Sequence, residues 1–389
     1  MNALPPSINS KTLILINIIL IFIALFLNEI VAQEADIETD TTDTEGTFVG
    51  IVEGRAYENT TAGEFTPGKG FTIFKTSLAS LNISVYGLAR YINQMPPYQS
   101  YEDHLGRTKY ADTRNDIWWH RTFVWFSGFF YTPKLRYTIS VWGLTATNQV
   151  LIFGNLQYSL NRPMTLGVGI VPNLGTRSMQ GPWPYFLGSD RVLAEEFFRP
   201  GFTTGAWVTG EPISRFRYWV MFGNNLSQLG IGASQMSRFL STSASVWWMP
   251  TTGEFGPRGG NGDFEHHKKL ATRFGASFCH SRESRHNNIG TPSPDNTQVR
   301  MSDGLLFFET GALAPNVTIE YADYDMLAVD LGFKYKGLAI HTELYYRTLS
   351  KFDANGQLPY SSLTDIGYTF QVLYMIVPKK VCLYGISSM

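Results

Sequence analysis

From Thr72 to Val377, apolar and polar side chains alternate in stretch after stretch of about ten residues, and this period of two constrains the fold more than any other feature. Between Leu135 and Gly143 the pattern is unbroken: Leu135, Tyr137, Ile139 and Val141 share one face, and Arg136, Thr138 and Ser140 the other. Successive side chains of a strand point to opposite sides of a sheet, so each such stretch is a strand with one apolar and one polar face. Segments 71–80, 82–94, 117–131, 135–146, 149–160, 164–172, 201–210, 214–224, 241–249, 269–279, 326–335, 338–348 and 364–376 read this way, and a further strand begins near 381. Thr47–Tyr57 is a weaker candidate, pairing first. Helical periodicity is nearly absent, so the predicted class is all-β, a transmembrane antiparallel β-barrel with about 14 strands visible.

The connections sort into two kinds, as a barrel with two unlike rims requires. Thr132–Lys134, Asn161–Pro163, Glu211–Ile213, Lys336–Gly337 and Pro378–Lys380 carry turn-forming residues. The connections at 95–116, 173–200, 225–240, 280–325 and 349–363 are long. Outer-membrane barrels keep tight turns on the periplasmic side and long loops outside. Two places break the rule: the connection after Asn148 is short though it should be external, and 250–268 is long though it should be periplasmic. Trp118, Trp119, Trp247, Trp248, Tyr131 and Tyr335 fall near strand ends, where aromatic girdles belong.

The leader agrees with that address. Lys11 precedes an apolar run from Thr12 to Leu27, and Ala32 supplies the small residue at which a signal peptidase cuts, with an uncleaved anchor helix as the alternative. The predicted organisation is a signal peptide over 1–32, an N-terminal periplasmic segment over 33–70 with the possible first strand, and the barrel over 71–389. Balanced charge, 31 basic against 32 acidic residues, gives no reason to expect a nucleic-acid partner. Two cysteines, Cys279 and Cys382, are too few for a disulfide scaffold and read as free thiols.

Parity points Arg90, Arg136, Arg215, Arg217, Arg273, Lys334 and Arg347 into the lumen, against Asp330 and Glu343. One reading is an anion-preferring channel, since such a wall concentrates anions. The other is that loop carboxylates pair with these cations and brace the wall. Within the 173–200 connection, Ser189 stands as a helix N-cap, helix formers follow through Glu196, and Pro200–Gly201 stops the run. A short helix there sets the bore, with Arg191, Glu195, Glu196 or Arg199 at the constriction, or else lies over the mouth as a lid. Enzyme signals are weak. Gly68–Gly70 and Gly253–Gly262 lack the residues of a phosphate-binding loop. Glu265, His266 and His267 read as solvated loop residues, because adjacent histidines on a strand face opposite ways. His341 and Glu343 share one face, with no serine placed for activation.

Four segments, Gly87–Gln94, Ser189–Gly201, Val246–Gly259 and Val377–Lys380, resemble Gram-negative outer-membrane porins of the phosphate-selective porin O and P group, over about Gly46 to Tyr384. The resemblance implies a barrel of about sixteen to eighteen strands. It further implies a homotrimer in outer-membrane lipid that passes small anionic or hydrophilic solutes passively, without cofactor or catalysis. It also implies an early end: such barrels close on a strand ending in Phe, whereas this chain finishes Tyr384–Met389, so closing strands are expected to be missing. The function expected is a porin with a mild anion preference, phosphate being one possible solute. A structural or adhesive barrel with a plugged lumen, and a barrel hydrolase, are the rival readings.

Overall fold

The computed structural model describes residues 49–52, 55–58, 71–93, 99–111, 114–144, 149–180, 186–188, 190–228, 240–252, 255, 260–285, 299–378 and 380–389. The leader read over 1–32 and the capping Ser189 lie outside them. The chain is all-β. Its strands are β1 (Val49–Val52), β2 (Arg55–Glu58), β3 (Phe71–Lys75), β4 (Ser80–Asn93), β5 (Gln99–Glu102), β6 (Thr108–Ala111), β7 (Asn115–Phe130), β8 (Thr132–Leu144) and β9 (Gln149–Ser159). They continue as β10 (Thr165–Pro172), β11 (Phe202–Ile213), β12 (Phe216–Gly223), β13 (Ser241–Trp248), β14 (Ala271–Ser284), β15 (Ile319–Tyr335), β16 (Leu338–Ala354), β17 (Ser362–Val377) and β18 (Val381–Ser388). A short helix, α1 (Leu193–Phe198), lies between β10 and β11.

Fourteen strands form one antiparallel meander, ordered from β18 back through β7 to β4 and β3. All fourteen alternating segments are strands of that sheet, because a half-polar strand can be satisfied only by neighbours of its own kind. The sheet ends on β3 and β18, and no ladder joins those two among the described residues. The Thr47–Tyr57 candidate is corrected: it holds β1 and β2, which pair with each other as a separate hairpin and not with the sheet. The 95–116 connection is likewise partly a hairpin of its own, β5 with β6.

The two faces of the sheet differ sharply. On one, Ile117, Val150, Ile152, Val168, Leu344 and Ile366 are each more than half exposed. On the other, Asn82, Thr138, Asn155, Gln157, Ser243, Ser277, Asp330 and Gln371 are buried. This reverses the usual soluble arrangement of apolar inside and polar outside.

The polar face wraps the connection between β10 and β11. Asp190 of that connection bonds Arg121 on β7, while Phe198 of α1 stacks on Tyr345 of β16 at 5.0 Å. Nine strand spacings separate β7 from β16, about 43 Å in a flat sheet. From Asp190 to Phe198 the chain is mostly helical and advances only about 18 Å. The sheet therefore curls around the segment.

Close packing on this face depends on small residues at specific places. A Cβ on Gly167 of β10 would lie 2.1 Å from the Trp207 ring, whereas one on Gly143 of β8 would meet nothing nearer than 3.9 Å. Gly167→Ala is expected to lower the urea midpoint by an amount equivalent to about 1–3 kcal/mol, while Gly143→Ala leaves it within about 1 kcal/mol. Equal effects in both would show that the Trp207 contact does not carry the packing.

Candidate functional site on the polar face

The sequence-predicted cations fall in three groups. Arg273, Lys334 and Arg347 are buried on the polar face, each held by the protein itself. Arg273 donates from Nε to Asp330 at 2.7 Å and from Nη2 to Gln180 at 2.6 Å, lying over the Trp247 ring. Lys334 donates to the Phe255 carbonyl and sits 4.6 Å from the centre of that ring. Arg347 pairs with Asp365 at 2.9 Å, donates to the Arg300 carbonyl at 2.7 Å and stacks on Phe197 at 4.2 Å.

Arg90 and Arg136 also face this side. Arg90 lies 3.6 Å from Asp190, and Arg136 donates to Ser159 Oγ at 3.1 Å while its Nε and Nη1 have no hydrogen-bond acceptor among the described residues. The third group is at the turn between β11 and β12. Arg217 is half-buried and pairs with Glu211 at 3.7 Å. Arg215 is a correction: it has φ 70°, is exposed, and donates to the Pro250 carbonyl at 2.5 Å. A left-handed residue in a turn no longer obeys strand parity, so Arg215 lies outside the polar face, in the turn.

The aromatic assignments need one correction as well. Trp119, Trp248, Tyr131 and Tyr335 are exposed near strand ends, but Trp247 is buried on the polar face among Trp207, Trp219, Met221, Val171 and Leu174. Residues 171–202 supply the apolar groups that seat them there. Met179 and Phe202 pack with Phe123, Trp125, Trp142 and Phe153, while Ala194 and Phe198 pack with Tyr324, Met326 and Tyr345. Each large side chain buried in this way contributes about 1.5–3 kcal/mol.

Polar contacts fix the position of the same segment. The Arg177 N–H donates to Glu343 Oε1 at 2.8 Å, and Gln180 Nε2 donates to Ser245 at 2.8 Å and Ser277 at 2.6 Å. Burial, reinforced by nearby Arg273, lowers the Arg177 guanidinium to about 10. At the far end, Arg121 Nη2 reaches both oxygens of Asp190 at 2.9 Å. The helix is displaced from its sequence-predicted start: α1 begins at Leu193, with Val192 as N-cap and no side-chain cap bond. Its candidate constriction residues pair among themselves. Arg191 lies 3.4 Å from Glu195, and Arg199 lies 2.8 Å from Glu196. Burial raises the Glu195 carboxyl above the ordinary 4.5, despite the opposing charges of Arg191 and Arg199.

Sequence reasoning missed Arg121 because β7 carries a bulge. The register slips opposite Leu88 and Ala89, so His120 and Arg121 are both buried and the alternation inverts between them. Two adjacent polar residues inside an alternating strand are the signal that marks it. Asp190 and Gln180 lie in a loop, where periodicity says nothing about direction. His341, paired with Glu343 by parity, is buried with neither ring nitrogen hydrogen-bonded among the described residues. Glu343 accepts from Tyr345 at 3.0 Å instead.

At the end where the long connections lie, the β5–β6 hairpin docks on residues 299–311. The His104 ring lies 2.7 Å from Asp303, His104 N–H donates to the same oxygen at 3.1 Å, and Arg107 donates to the Gly311 carbonyl at 3.2 Å. Near the tight turns, Asp263, Glu265 and His267 converge, which corrects the solvated-loop reading of Glu265 and His267. Both cysteines are free thiols. No protein-family model matches the chain, and no curated protein matches it.

The Asp190 and Asp303 contacts each give an expected outcome. Asp190→Asn removes the carboxylate to which the buried Arg121 guanidinium donates and should reduce unfolding stability by about 1–3 kcal/mol in urea titrations. Adding Arg121→Met to that variant should restore most of the loss; no recovery would mean that the pair is not the source. At the hairpin, burial would raise the Asp303 pKa, but hydrogen bonds from the His104 ring, His104 N–H and Leu305 N–H hold it below the ordinary 3.8. A depressed carboxylate stabilises docking fully above its unfolded value, so the contribution disappears as pH falls through the lower folded value. The protection of residues 99–111, taken relative to intrinsic amide exchange at each pH, should therefore fall only below about pH 4 in the wild type. Asp303→Asn should show low protection factors that do not change across that window.

Proposed function

We propose that this chain is an outer-membrane porin: a β-barrel through which small hydrophilic solutes diffuse passively, with residues 173–201 setting the bore. The observation that carries this reading is the reversal of the two faces. Ile117, Ile152, Leu344 and Ile366 lie on the exposed side, and Asn155, Gln157, Asp330 and Gln371 lie on the enclosed one. Exposed apolar side chains over the length of a sheet suit lipid, and an enclosed polar face suits water. Backbone groups at an open strand edge are not tolerated in hydrocarbon, so the proposal includes closure of the sheet into a barrel. A mild anion preference rests on Arg90, Arg136, Arg273, Lys334 and Arg347 facing the enclosed side. It is limited by the carboxylates of Asp190, Asp330 and Asp365, which already pair with three of them.

That pairing also favours the second reading, a structural barrel with a plugged lumen. The 173–201 segment is packed on apolar clusters as well as on charges, and a tightly seated segment obstructs flow. Conductance separates the two. Purified chain in a planar bilayer should give steady single-channel steps, with a reversal potential biased toward anions under a salt gradient. Silence with stable insertion would hand the argument to the plugged barrel. Independently, Leu344→Arg should reduce folding stability in lipid by about 2–4 kcal/mol, whereas Thr342→Arg, nearer the rim, tests depth dependence with a smaller loss. No penalty at Leu344 would remove the lipid-facing assignment.

A further inference from the structure

The loop between β13 and β14 turns three chemically matched side chains toward one point. One ligand atom from each of Asp263, Glu265 and His267 lies within 4.8 Å of the others. This is not a solvated acidic surface: the Asp263 side chain is fully shielded, and that of His267 is 12 % exposed. Asp263 is already well served, accepting from the His267 ring at 2.5 Å, from His267 N–H at 3.1 Å and from Gly337 N–H at 2.7 Å. Glu265 is not. Its Oε2 is shielded from solvent, and no N–H or O–H among the described residues donates to it. A carboxylate oxygen withdrawn from water, beside a second carboxylate and with no donor, requires a positive partner.

We propose that Asp263, Glu265 and His267 bind a divalent transition metal of the zinc class. The donor set of two carboxylates and one imidazole suits Zn²⁺, with water completing the shell, whereas Mg²⁺ and Ca²⁺ take oxygen ligands. His267 Nδ1 faces Asp263, so entry of a metal displaces the proton between them, and Nδ1 supplies the lone pair that the metal accepts. Glu265 adds the first carboxylate, and Asp263 lies close enough to add the second. The same loop is fastened to the β15–β16 turn, since Lys336 N–H donates to the His267 carbonyl at 2.8 Å and Gly337 N–H to Asp263. A metal held here fixes the β13–β14 loop in the conformation that makes those two bonds. The site stands on the polar contacts of the loop and does not depend on conduction.

The experiment is calorimetric titration of the folded full-length chain with ZnCl₂, with and without excess MgCl₂. One Zn²⁺ should bind per chain, undisturbed by Mg²⁺, and Glu265→Gln and His267→Gln should each weaken binding at least about tenfold. X-ray absorption at the zinc edge of the wild type keeps the test decisive if a variant does not fold: the expected shell holds one imidazole among oxygens. Absence of saturable Zn²⁺ binding would overturn the proposal and leave a proton shared between the carboxylates as the positive partner. A shell of several histidines, or binding that both variants retain unchanged, would place the ion elsewhere and overturn it equally.

Discussion

Enclosure of the polar face by residues 173–201 is the constraint on which the rest of this structure depends. A sheet that turns Asp330, Glu343, Arg273, Lys334 and Arg347 to one side needs partners for those groups, because an unpaired buried charge is among the most destabilising features a fold can carry. Arg273 and Asp330 answer each other, Asp365 answers Arg347 and the Phe255 carbonyl answers Lys334, and the segment supplies further partners from both ends. Asp190 answers Arg121 and Arg90 on β7 and β4, the backbone of Arg177 answers Glu343 on β16, and Gln180 answers Arg273 on β14. Because those strands are far apart in the order of the sheet, the same contacts that satisfy the charges also fix its curvature.

Charge alone does not seat the segment. Val171, Leu174, Met179, Phe198 and Phe202 fill the spaces between the polar groups, and indole rings from Trp142, Trp207, Trp219 and Trp247 meet them. Apolar contact supplies attraction without direction, while the ion pairs supply register. Together they account for an inner face that is neither a hydrocarbon core nor an open aqueous wall. The charged groups on this face are already engaged with one another, so the count of cations overstates its positive potential. The pairing of Arg273 with Asp330 and of Arg347 with Asp365 matters more than the excess of positive residues.

The two ends of the sheet are built on different principles. Where tight turns join the strands, single residues carry the geometry: Tyr131, Arg215 and Lys336 take positive φ, and Asp263 gathers donors from His267 and Gly337. Where the connections are long, they pack on one another. The β5–β6 hairpin rests on residues 299–311, and Phe307, Phe308 and Leu313 join the cluster around Phe198.

Alternation determined the fourteen strands of the sheet and the facing of most side chains, and the tight turns between them its antiparallel order. Period two is a local property: once Leu135 and Ile139 share a face, Arg136 and Ser140 must share the other, whatever lies beyond the strand. The same property places Asp330, Lys334, Glu343 and Arg347 together without any knowledge of contacts. What failed were positions where the backbone leaves that period, Arg215 in a left-handed turn and Arg121 after the bulge at His120, since one extra or twisted residue redirects its neighbours. Tertiary structure alone decided which charges meet. Asp190 finds Arg121 across 69 residues and Arg177 finds Glu343 across 166, and Asp263, Glu265 and His267 converge through a loop. Loops have no period to read, so their side chains acquire a direction only when the sheet has curled and given them something to touch.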